Sequence, residues 1–198
     1  MGIPEIYRKS PEITLNVDYF DQLLGVGFLK IYLAGGKPTS GNTYYLTTNS
    51  SVISDKDNQA TASGASFDLD FDMTINRSLK VVAVPGIFVS RFQGTTTANT
   101  ITFTIKHVDG ASVETTLATI VFNQQGSAGN YNKVKMSAYT PTAKTFIKGD
   151  KLRVTALQTG TNNDGYFTYD PSGFWTYSSE GIVNTAVNYF LLPVEIIQ

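Results

Sequence analysis

The residues of this 198-residue chain whose types could do chemistry are one histidine, His107, and three aspartates at alternate positions, Asp68, Asp70 and Asp72. Nucleophilic catalysis needs a histidine within reach of a serine or cysteine, and a third group to orient the ring. With one His, no Cys and no G-x-S-x-G, no such arrangement can be named. The same shortage removes the usual zinc ligands. His107 continues the face of Ile101, Phe103 and Ile105 beside a turn, which reads as a structural, strand-end role. Neighbouring aspartates of the triplet would lie about 6.6 Å apart along a strand. Ca²⁺ takes several oxygen ligands, but the stripe lacks the spacing and the glycine of a Ca²⁺ loop. A solvated face, or pairing with lysines of a neighbouring strand or subunit, is the expectation. No glycine-rich phosphate loop stands between a strand and a helix, and nothing selects two of the sixteen acids as a glycosidase pair. No catalytic, cofactor-binding or metal-ligating residue is assigned, and a non-enzyme is expected.

Recognition has better material. The stretch 159–185, TGTNNDGYFTYDPSGFWTYSSEGIVNT, is punctuated by Gly, Asn and Ser and carries Tyr166, Phe167, Tyr169, Phe174, Trp175 and Tyr177. A long loop in a small domain is usually functional or interfacial. Tyrosine and tryptophan supply large, rigid, amphipathic contact area. Three readings stay open: a satellite core folding the loop onto the domain, a contact between subunits, or a platform for stacking sugars.

The elements that must carry these residues are strands. In SFDLDFDMTI, Phe67, Leu69, Phe71, Met73 and Ile75 fall on one face while Asp68, Asp70, Asp72 and Thr74 fall on the other. That alternation is what a half-buried antiparallel strand needs. GFLKIYLA, NTYYLTT, LKVVAVPGIFVSRF, TITFTIKHV, SVETTLATIVF, NKVKMSAY, TFIKGDKLRVTALQ and VNYFLLPVEII read as further strands. Asp109-Gly110 is the strongest hairpin signal, and Gly149-Asp150 is a second candidate tight turn, of the glycine-first kind. Pro85-Gly86 marks a bend or bulge within an edge, and Pro193 argues for an edge or a bulge. Residues 1–25 differ: Pro4 and Pro11 favour extended backbone, then VDYFDQLLG spaces Val17, Phe20, Leu23 and Leu24 for two helical turns, with Gly25 as the stop. The expectation is an all-β protein, an antiparallel jelly-roll β-sandwich with an extended N-terminal arm and one short helix. Residues 1–35 form the arm with its helix and first strand, and residues 36–198 the sandwich.

Net charge is −1 with a pI of about 5.8, so no overall basic field exists to hold nucleic acid. The N-terminus has no apolar signal-peptide core, and the longest apolar run, YFLLPVEII, is too short for a membrane span. Neither a nucleic-acid nor a membrane partner is expected. Charged residues make up 16%, below the usual quarter, with Thr, Asn, Ser and Gly in their place. Lys133, Lys135, Lys144, Lys148, Lys151 and Arg153 cluster against one acid, Asp150, while no Lys or Arg follows Arg153. Such asymmetry can pair head to tail between copies or across strands within one fold.

The Pro-containing arm IPEIYRKSPEI, the cysteine-free Thr/Asn-rich strands and the segment FIKGDKLRVTAL together resemble the jelly-roll structural proteins of virus particles, capsid decoration (cement) proteins in particular. The resemblance implies a non-enzymatic virion component, made in the host cytoplasm and seated on the capsid exterior. Its partners would be further copies of itself, as a homotrimer, and the major capsid protein or another virion protein. Docking would use Ile3, Ile6, Tyr7, Phe20, Leu23 and Leu24 of the arm. Tyr166, Tyr169, Phe174, Trp175 and Tyr177 would form a second contact surface, or the platform of a receptor- or glycan-binding module, which is the alternative function.

Overall fold

The alternation in SFDLDFDMTI becomes a strand over Asp68–Thr74, with Phe71 wholly buried and Asp70 on the exposed side. The computed structural model describes residues 27–36, 43–50, 58–60, 68–92, 100–123, 133–159, 166–168 and 188–197. The expected arm and helix precede Gly27 and lie outside these residues. The described residues form β1 (Gly27–Gly36), β2 (Thr43–Thr47), β3 (Asn58–Ala60), β4 (Asp68–Thr74), β5 (Leu79–Val81), β6 (Gly86–Phe92), β7 (Thr100–Val108), β8 (Glu114–Asn123), β9 (Lys133–Tyr139), β10 (Lys144–Phe146), β11 (Lys151–Thr159), β12 (Tyr166–Thr168) and β13 (Tyr189–Ile196). There is no helix among them.

The protein is all-β and sandwich-like. One layer runs β8–β7–β11–β4, and the other runs β2–β1–β13–β6–β9, with β5 and β10 alongside β13 and with β12 and β3 beyond β6. Every pairing is antiparallel except the junction of β2 with β4, a parallel contact at Tyr45 and Asp72. The layers face each other through aromatic rings. Phe88 of β6 stacks on Phe103 of β7 at 4.5 Å and on Phe190 of β13 at 5.6 Å, while Tyr44 of β2 tilts against Phe71 of β4 at 5.3 Å. Leu29, Ile31, Leu33, Ile105, Val154 and Leu192 fill the space around them. Each fully buried side chain of this size contributes about 1.5–3 kcal/mol of hydrophobic stabilisation.

The two prolines lie at one fault in the sheet, and neither is on an edge. β13 pairs with β1 on one side and with β5 and β6 in turn on the other. Val81 faces Val194 and Ile87 faces Leu191, so six positions on the β5–β6 side match three on β13. The surplus loops out between Val82 and Pro85. Pro193 sits opposite this break, its carbonyl accepting from Val82 N–H at 3.2 Å. N and C=O of one strand residue point the same way, so the missing N–H of Pro193 falls where no ladder partner waits. Gly86 follows the break because a Cβ there would collide with the Leu191 carbonyl and the Tyr139 ring.

Both turn signals mark turns, in altered form. The β7–β8 loop spans 109–113, and Ser112, not Gly110, takes the positive φ of 65°. Asp109 organises it by accepting the N–H groups of Ala111 (2.9 Å) and Val113 (2.8 Å) on one carboxylate oxygen. Gly149, at φ 100°, is the third residue of the 147–150 turn, closed by Asp150 N–H to the Ile147 carbonyl at 3.1 Å. Glycine second among the two central residues is the type II arrangement, not the glycine-first one. The turn also passes between pairings, since β10 pairs with β5 and β11 with β4 and β7.

Candidate functional site

Three constellations could bind or react. The first is the aspartate stripe. β11 lies between β4 and β7, with Arg153 opposite Asp72 and Thr155 opposite Asp70. Arg153 holds Asp72 in a two-pronged grip, Nε to Oδ1 and Nη2 to Oδ2, both at 2.7 Å. Its Nη1 reaches Glu114 Oε1 at 2.7 Å and Asp70 Oδ2 at 3.0 Å. Lys106 completes the row on Glu114 at 2.8 Å, and the Thr155 hydroxyl donates to Asp70 at 2.6 Å. The carboxylates around Arg153 push its pKa upward, led by the Asp72 hydrogen bonds, and Lys106 first and Arg153 next draw Glu114 down. The stripe is therefore a cross-strand ion-pair network within the chain. The partner is an arginine of the adjacent strand rather than a set of lysines, although Lys151 stands 3.9 Å from Asp72. Asp68 pairs through its backbone with Leu157.

Fork-shaped arginine–carboxylate pairing is the strong form of a surface ion pair, while a single exposed pair contributes about 1 kcal/mol or less. Asp70→Ala is accordingly expected to cost no more than about 1 kcal/mol in urea unfolding. Arg153→Ala should cost more, and its loss should shrink in high salt as the network is screened. A salt-independent Arg153 loss would point to packing of the arginine stem instead of charge.

The second constellation is buried. His107 Nε2 lies 2.7 Å from Asp150 Oδ2, which also accepts the Ile147 N–H at 2.9 Å. The Phe146 ring meets the imidazole edge-on at 4.6 Å. Ile75 N–H donates to the Asp150 carbonyl and Gly149 N–H to the Ile75 carbonyl, at 2.8 and 2.9 Å. Asp150 thereby ties the ends of β4 and β7 to the 147–150 turn. The His107 hydrogen bond first and the Ile147 N–H second hold its carboxyl below the ordinary value of 3.8. His107 Nδ1 is buried with no hydrogen-bond partner. A proton there would be an unsatisfied donor, so the tautomer protonated on Nε2 is assigned. This arrangement is a structural clasp, as the strand-end reading of His107 expects.

The third constellation is apolar and exposed. On β9, Val134 and Met136 face solvent with Ala138, Met136 at 72% exposure, while Tyr139 turns inward and donates its hydroxyl to the Leu191 carbonyl at 2.9 Å. Burial raises the Tyr139 pKa. Ile87 lies opposite Ala138 on β6, and Val121 is exposed on the neighbouring β8. Alternation in NKVKMSAY shows that these side chains share a face, but not which face is wet. Inward-facing Tyr139 decides that by filling the space above Gly86.

Of the aromatic recognition residues expected from the sequence, Tyr166 and Phe167 lie in the described part, where the backbone of β12 pairs with β3 at Ala60 and Gln59. Ile3, Ile6, Tyr7, Phe20, Leu23, Leu24, Tyr169, Phe174, Trp175 and Tyr177 lie outside the described residues. The basic cluster is divided: Lys151 and Arg153 meet Asp72 within the chain, and Lys135 donates to the Asn123 carbonyl at 2.8 Å. Glu195, beyond Arg153, pairs with Lys80 opposite it at 2.9 Å.

No protein-family model matches this chain, and no curated protein matches it. Among solved structures it is similar to a CocE/NonD family hydrolase from Staphylococcus aureus, with 11% identity and a TM-score of 0.52, covering 86% of this chain and 37% of that one. Another crystal structure described as a CocE/NonD family hydrolase from that organism aligns with a TM-score of 0.48 at 8% identity, covering 85% and 37%. Eiger TNF from S. frugiperda aligns with a TM-score of 0.37 at 12% identity, covering 86% of this chain and 94% of that one. The chain thus spans little more than a third of those hydrolases, and at 11% identity the alignment with a TM-score of 0.52 is a likeness of fold alone.

Proposed function

We propose that this protein is a non-catalytic structural component of a virion, a decoration protein that binds a capsid surface as a homotrimer and stabilises the particle. The observation that carries the reading is the exposed apolar corner of Ile87, Val134 and Met136 on one face of the paired strands β6 and β9. The Arg153 network and the Asp150 clasp engage polar side chains with one another, whereas this corner meets water. Clustered exposed apolar side chains mark interaction surfaces. A protein that binds only the assembled lattice lowers its free energy relative to dissociated subunits, so stabilisation follows from mass action without chemistry. The test is co-sedimentation with particles of the virus that encodes the protein, with light scattering to read the oligomer. Met136→Glu should weaken particle binding by about tenfold or more, equivalent to about 1.4 kcal/mol, with the β-sheet circular dichroism unchanged. Undiminished binding by the folded variant would remove the corner from this role.

A further inference from the structure

Three of the seven large apolar side chains exposed among the described residues stand at one end of the sandwich, on three different segments. Ile147 (60% exposed) opens the 147–150 turn that leads into β11, Val113 (58%) closes the β7–β8 loop, and Ile197 (42%) follows β13. Pairing brings these segments together. Val108, the last residue of β7, lies opposite Lys151, the first of β11. Phe146, just before the turn, lies opposite Leu79, which in turn faces Ile196. The bond from Ile75 N–H to the Asp150 carbonyl holds the 76–78 loop beside the same turn. Arg77, Lys148 and Lys151 are exposed on these segments. The acids nearby are engaged: Asp109 by the N–H groups of Ala111 and Val113, Glu114 by Lys106 and Arg153, and Glu195 by Lys80, while Asp150 is buried. This end is apolar at its tips and cationic between them.

The shape of this end selects its partner. An extended peptide needs a free strand edge and a helix needs a groove, whereas these side chains project from the tips of separate segments and line neither. A lipid interface takes up projecting apolar side chains one by one at the boundary of headgroups and acyl chains. Charge complements the shape, because anionic headgroups attract exposed Lys and Arg held within a Debye length of the surface. Lys148 follows Ile147 directly, so an isoleucine entering the interface carries a cation to headgroup depth. No helix among the described residues is long and apolar enough to cross a membrane, and docking on one side of a bilayer makes no such demand. We propose that the end formed by the 76–78, 109–113 and 147–150 segments is a docking site for an anionic lipid surface. Ile147, Val113 and Ile197 enter the interface, and Arg77, Lys148 and Lys151 meet the headgroups. This surface is separate from the corner of Ile87, Val134 and Met136 and does not depend on the capsid reading.

The chain has no cysteine, so Ile147→Cys can carry a single environment-sensitive fluorophore. Vesicles of phosphatidylcholine and phosphatidylserine in about equal parts should shift its emission to the blue, while the same dye on Val134→Cys should not respond. In co-sedimentation the unlabelled full chain should bind these vesicles, and should bind phosphatidylcholine alone at least about tenfold more weakly. Added salt should release it. Lys148→Glu and Ile147→Ser should each weaken vesicle binding by about threefold or more, with melting temperatures unchanged. Met136→Glu should leave vesicle binding as it is, even where it loses the particle. No binding to either vesicle, or equal binding to both, would overturn the proposal. Vesicle binding that Met136→Glu abolishes and Ile147→Ser leaves intact would overturn it too, by moving the lipid contact to the other corner. Self-association in sedimentation that Ile147→Ser abolishes would make a second copy the occupant instead.

Discussion

Phe71→Ala is expected to lower the unfolding free energy by about 3–5 kcal/mol, the range for removing a buried aromatic ring and leaving a cavity. Phe71 lies midway along β4, wholly buried, against Tyr44 of β2 at 5.3 Å. Its position raises the expectation. β4 and β2 meet where the two layers join through one parallel contact at Tyr45 and Asp72. With little backbone bonding there, side-chain packing holds the junction, and the Tyr44–Phe71 pair is its centre. Chemical denaturation of the variant measures the loss. A value under about 1 kcal/mol, the size of an ordinary surface substitution, would mean that the junction does not depend on this ring. Phe71→Leu, which keeps most of the apolar volume, should recover a large part of the difference.

Asp150→Ala should cost about 2–5 kcal/mol, because it strips two buried donors, the His107 imidazole and the Ile147 N–H, of their shared acceptor. The loss should depend on pH with a definite sign. A carboxyl held below its unfolded pKa stabilises the fold at pH values above the unfolded pKa, and that contribution disappears as pH falls through the folded pKa. The gap between wild type and Asp150→Ala is thus complete at neutral pH and narrows once pH drops below about 3.8. A gap unchanged across the acid range would show that the side chain acts by shape and not by charge. A double-mutant cycle with His107→Phe separates the clasp from local packing: a coupling of about 0.5–3 kcal/mol is expected for contacting residues. Independent, additive losses would contradict the clasp.

The sequence by itself determined the all-β class, most of the strands that carry it and the inward face of the most regular ones, but not β3, nor β12 inside the stretch read as a loop. Strict alternation in SFDLDFDMTI and TITFTIKHV leaves one face for the core, so the burial of Phe71, Ile101, Phe103 and Ile105 was legible before any pairing was known. Turn positions were legible too, because glycine and aspartate mark where the backbone reverses. Pairing partners were not, since they join residues far apart in the chain. Asp72 and Arg153, 81 positions apart, become neighbours only when β4 and β11 align. His107 and Asp150 likewise stand 43 apart and meet because Leu152 falls opposite His107. Pro193 left an edge and a bulge open, and the structure takes the second: it lies inside the sheet opposite the break in β5–β6, a choice that no local pattern in VNYFLLPVEII records. The exposed corner is the sharpest case. An alternating strand announces two faces and leaves their orientation open, and in β9 the packing of Tyr139 against Gly86 turns Val134 and Met136 toward water. Periodicity is a property of one strand, whereas the choice between its faces belongs to the neighbours that the fold supplies.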